Sequence, residues 1–127
     1  MKRAAYLLSL VILSETLGFL FSLGQHLPDP SWSAHAQFHL VWGFFWTAGL
    51  AAVLMLVVWG PFLRGERWTI WALLAAWILG HGGYFVAQWV VPAAGRPQTL
   101  AENLSLLIAM LLMGIGIWAG WREMTKK

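Results

Sequence analysis

The sequence predicts an all-α polytopic membrane protein, a bundle of four transmembrane helices with both termini cytoplasmic. Three observations carry that prediction. Hydrophobic residues make up 60% of the 127 positions and charged residues only 10%, where a soluble domain averages about 25% charged. Four long apolar runs follow one another, separated by short stretches rich in Pro, Gly and polar residues. The basic residues gather at the chain ends and in one loop: Lys2, Arg3, Arg64, Arg67, Arg122, Lys126 and Lys127, with Arg96 alone elsewhere. Cytoplasmic loops collect Lys and Arg, so this layout orients every helix.

The first helix spans about 4–23, close to the ~20 residues that cross ~30 Å of hydrocarbon. A signal peptide also begins with basic residues and an apolar run. This run is long for one, carries Glu15 in its middle and meets no small-x-small cleavage site, so a retained helix is expected. The second helix spans about 34–58 and is expected to close at Gly60-Pro61, with a tight turn over 61–65. Before it, Asp29-Pro30 reads as a cap and first-turn pair. The third helix spans about 68–91 and ends at Pro92. The fourth spans about 100–121, opened by Thr99-Leu-Ala-Glu102, which matches a capping box. All of 1–127 reads as one domain, since no linker or low-complexity tract interrupts it.

Composition also excludes functions. Without cysteine there is no disulfide, thiolate metal site or cysteine nucleophile. The net charge of +3 is spread by topology rather than clustered on one face, so no nucleic-acid partner is expected. No G-x-S-x-G elbow occurs. The partners expected are the bilayer of a plasma or inner membrane and a hydrophobic small molecule. Self-association or membership of a larger membrane complex is also compatible with small-residue faces such as Gly116-x-x-x-Gly120.

The orientation sorts the polar residues by depth. At 1.5 Å per residue, Glu15 lies ~16 Å and His81 ~20 Å from the cytoplasmic ends of their helices. His35 and His39 occupy the outer turns of the second helix, Gln88 lies above His81, and Glu102 and Asn103 open the fourth. All fall between the midplane and the outer surface. Ionisable groups at such depth normally face the bundle interior and pair with one another or with water. A single polar pocket open toward the outer side is therefore expected, with Trp42, Trp77 and Tyr84 among its lining.

Each residue has a plainer reading. Glu15 is either a general acid/base or ligand partner, or a buried carboxyl kept neutral by desolvation. His81 is either functional, paired with Glu15 as a proton-exchanging couple, or a hydrogen-bonded structural histidine. His35 and His39 share a helix face at i and i+4, which suits a metal or merely meets interfacial water. Glu102 serves the capping box, the pocket or both. Gln88 and Asn103 serve the pocket or interhelical hydrogen bonds, and the aromatics serve it or packing.

The segment Pro30-Ser31-Trp32-Ser33-Ala34-His35-Ala36-Gln37-Phe38-His39 resembles the P-x-W-x-x-H-A-x-F-H stretch between the first two spans of small, uncharacterised four-helix membrane proteins. That resemblance implies the layout and no activity. In architecture alone the chain is similar to the emopamil-binding and sigma-2 receptor group. Those bundles surround a membrane-buried ligand pocket, with acidic residues and, in the isomerase branch, a His and a Glu. Glu15, His39, His81 and Glu102 are comparable in kind, and no position is carried over.

Three functional readings follow. The first is a pocket for a lipid, isoprenoid, sterol-like or quinone-like molecule, with acid/base chemistry by Glu15 and His81 as a catalytic version. The second is haem b held between His39 and His81, or a divalent metal on His35, His39 and Glu102, since imidazole and carboxylate suit zinc, copper or iron. The third is an accessory subunit of a membrane complex.

Overall fold

The computed structural model describes residues 1–90 and 100–126, without the side chains of Gln88 and of residues 100–103. Four helices follow in order: α1 (Lys2–His26), α2 (Ala34–Val57), α3 (Trp68–Val90) and α4 (Leu100–Thr125). No strand occurs among the described residues. All four are long and apolar enough to cross a membrane. Helices suit such sequences because each backbone N–H and C=O is satisfied within its own segment.

The helix expected to stop at Gly60-Pro61 runs through them. After Val57 the backbone widens into one π-helical turn, Val58–Phe62, with Pro61 inside it. Proline has no N–H to give and its ring collides with the carbonyl four residues back in an α-helix. A wider turn accommodates that ring without ending the helix. The Glu66 N–H then reaches the Pro61 carbonyl at 3.1 Å, and Gly65 turns the chain at φ 82°. The π turn places Val58 and Phe62 in the core, both fully buried.

Two other local expectations shift. Ser33, not Asp29, caps α2, its hydroxyl accepting from the Ala36 N–H at 3.2 Å. Asp29 instead holds the preceding turn by accepting from the Ser31 N–H at 2.9 Å. The capping box at 99–102 lies outside the described residues.

In the α2–α3 turn Glu66 accepts from the Trp68 indole N–H and from Arg64 Nε, both at 2.8 Å. These donors, Trp68 first, hold its carboxyl below the ordinary value. A lowered folded value means the contribution is full above the unfolded value and fades as pH falls through the folded one. Melting curves in mild detergent should therefore show an acid-side loss that Glu66→Gln flattens.

The helices pack in the order α2, α1, α4, α3: α1 touches α2 and α4, and α3 packs on α4. Between α2 and α3 there is almost no close backbone approach. Among the described residues the buried core lies in the half of the bundle that carries the termini. It is built from Ala4, Ala5, Leu8, Val11 and Ile12 on α1, Leu54 and Val58 beside Phe62, Ile70 and Leu73 on α3, and Met113, Ile117 and Met124 on α4. Gly116 and Gly120 serve this core. A Cβ on Gly116 would meet Leu8 Cδ2 at 2.8 Å, and one on Gly120 would collide with the Phe62 ring. The G-x-x-x-G face is thus occupied inside the chain by α1 and the π turn.

Candidate functional site

A cavity of about 650 Å³ lies among the four helices, within the roughly 300–1,000 Å³ usual for small-molecule sites. Its walls are chiefly apolar: Phe19, Leu50, Leu54, Ala76, Leu106 and Met113 among them, with Gly18 and Gly80. A Cβ on either glycine would meet nothing within 4 Å, so these positions hold the space open.

One ionisable pair sits in the wall. Glu15 of α1 and His81 of α3 meet across the cavity, Oε1 to Nε2 at 2.9 Å. The His81 ring is 11% exposed and the Glu15 side chain 40%. The other ring nitrogen, Nδ1, lies 3.0 Å from the Trp77 carbonyl one turn earlier on α3. A carbonyl only accepts, so Nδ1 carries a hydrogen. Satisfying the second contact then requires one more hydrogen between Nε2 and Oε1. Two placements do so: imidazolium facing carboxylate, or neutral imidazole facing carboxylic acid. The contacts therefore call for one hydrogen between the pair, which is net neutral in either placement.

The residues beside Glu15 reinforce its character. Ser14 and Thr16 turn their hydroxyl hydrogens back to the Val11 and Ile12 carbonyls at 2.9 and 2.8 Å, leaving oxygen lone pairs at the wall. Trp77 and Tyr84 also line the cavity. The Trp77 indole N–H is buried with no acceptor among the described residues, a condition that costs about 1–3 kcal/mol.

The other expected residues do not join this cluster. His35 and His39 lie exposed on the first turns of α2, their Nε2 atoms 3.1 Å apart, and neither lines the cavity. Trp42 is 52% exposed on an aromatic stripe with Phe38 and Trp46. Gln88, Glu102 and Asn103 lie outside the described side chains. Among the described residues no group of three or more His, Asp or Glu converges on a point that would hold a metal. His81 has both ring nitrogens engaged, so axial ligation of haem would require it to give up Glu15.

Sequence reasoning missed Thr47, the polar residue that α2 contributes to the cavity, and the hydroxyls of Ser14, Thr16 and Ser22 on α1. Ser14-Glu15-Thr16 as a contiguous polar triplet in an apolar run was the available signal.

Comparison with known proteins finds no match: no family model, no curated protein and no solved structure is similar to this chain.

Proposed function

We propose that this chain lies in a membrane with both termini on the cytoplasmic side, and that its outer-half cavity binds a hydrophobic small molecule drawn from the bilayer. One observation carries the reading. Two costly ionisable side chains from different helices meet at 2.9 Å in the wall of an otherwise apolar cavity. An apolar pocket with a few convergent polar groups is the usual form of a small-molecule site. The distribution of Lys and Arg supports the orientation, and it puts the cavity in the half away from the cytoplasm. The proton shared by Glu15 and His81 gives the same site a means of acid/base exchange with a bound molecule.

The test fills the cavity without touching the pair. Gly80→Leu adds a side chain where a Cβ meets nothing within 4 Å. The wild-type protein, purified in mild detergent, should retain a small molecule seen by native mass spectrometry and identified by extraction. Gly80→Leu should fold with an unchanged melting temperature and lose it. Equal retention by both proteins, or none by either, would overturn the reading.

A further inference from the structure

Resting on that reading, we infer that the ligand is a neutral lipid alcohol whose hydroxyl hydrogen is donated to the free oxygen of Glu15. Three features of the cavity select it.

The first is charge. Glu15 and His81 are the only Asp, Glu, Lys, Arg or His side chains among the described lining residues. With Nδ1 committed to the Trp77 carbonyl, the pair is net neutral in both of its proton placements. The cavity therefore has no net charge to set against an ammonium or a carboxylate, and bringing either out of water without a counter-charge is expensive.

The second is hydrogen-bond polarity. When the shared proton is on His81, Glu15 is a carboxylate and both oxygens accept. When it is on Glu15, it occupies Oε1, facing Nε2, and Oε2 is the carbonyl oxygen and still accepts. Among the described residues Oε2 has no partner, and the Glu15 side chain is 40% exposed. Ser14 and Thr16 beside it have already donated their hydrogens inward. What completes this end of the cavity is a neutral group that donates: an O–H. An ether, an ester or a bare ketone does not.

The third is shape. The α2–α3 seam has almost no close backbone approach, while α2 and α3 both line the cavity, through Thr47, Leu50 and Leu54 on one side and Ala76 and Gly80 on the other. An apolar chain attached to the hydroxyl leaves through this seam into the surrounding acyl chains. A single-headed chain alcohol of the isoprenoid or fatty kind has that form.

The experiment uses the full chain in detergent with four probes of matched chain: farnesol, farnesyl methyl ether, farnesylamine and farnesoic acid. Binding is read by native mass spectrometry and by quenching of tryptophan emission. Farnesol should bind at least about tenfold more tightly than each of the others, the loss expected for one good hydrogen bond. Glu15→Gln should keep that preference, because its amide N–H₂ can face Nε2 while its carbonyl oxygen still accepts. The double variant Glu15→Leu/His81→Leu should bind farnesol and its methyl ether alike, whereas Glu15→Leu by itself leaves His81 Nε2 open to the hydroxyl. Equal binding of alcohol and ether by the wild type would overturn this inference and leave the cavity reading standing. Tighter binding of the amine or acid would overturn it likewise. Failure of all four to bind would overturn this inference, and the cavity reading falls with it only where the wild type also retains no small molecule on purification.

Discussion

Gly120→Ala should lower the stability of the bundle by about 1–3 kcal/mol, the usual cost of forcing extra volume into a packed core. Two effects oppose each other at this position. Alanine is the better helix former, by roughly 0.5–1 kcal/mol over glycine. Against that, the added methyl group enters the ring of Phe62, which is fully buried and fixed in the π turn. A fully buried ring can give way only by displacing its packed neighbours, so the collision wins. Gly49→Ala supplies the control. It is a glycine inside α2 whose Cβ would meet nothing within 4 Å, so only the helix-propensity term remains and the same substitution should be neutral or stabilising. Melting curves in one detergent, with both variants against the wild type, check the opposite signs. A neutral Gly120→Ala would mean that α4 does not rest on the π turn as the structure places it.

That contrast also marks what could be read from the sequence. The four helices were legible because length and hydropathy suffice to define a span, and their breakers stand in plain view. That Glu15 and His81 share a level in the bundle was legible too, because counting residues along the two helices is enough. Which face each residue takes was not. α2 is apolar on nearly every side, and a helix without a polar stripe does not announce its rotation. His35 and His39 therefore read as pocket residues at the right level, while the structure turns them to the outside and gives the inside to Thr47. The course of the chain past Gly60-Pro61 was hidden for a different reason. Whether proline ends a helix or is taken up in a wider turn depends on what the next residues bury, and Phe62 finds the groove over Gly120. Glycines carried the same ambiguity: Gly116 and Gly120 admit a neighbour, whereas Gly18 and Gly80 admit nothing and keep a space.

The Glu15–His81 pair makes the second large prediction, and it separates a role in the fold from a role in the site. His81→Leu leaves the Glu15 carboxyl without its partner at a depth where partners are scarce. Breaking a fully buried pair typically costs about 3–5 kcal/mol. Glu15 is 40% exposed, so the loss should fall nearer about 1–3 kcal/mol, the cost of an unsatisfied polar group. Glu15→Leu should cost less, since the imidazole left behind keeps its bond to the Trp77 carbonyl. The double variant should recover, because replacing both members of such a pair by apolar residues is often neutral or stabilising. A melting series of wild type, both single variants and the double variant should therefore place His81→Leu lowest and the double variant close to wild type. A His81→Leu protein as stable as the wild type would mean that Glu15 does not depend on His81. Recovery of stability in the double variant, accompanied by loss of the retained small molecule, would show the pair to be dispensable to folding. Nothing but the cavity and its occupant would then account for two ionisable side chains held at 2.9 Å among apolar helices.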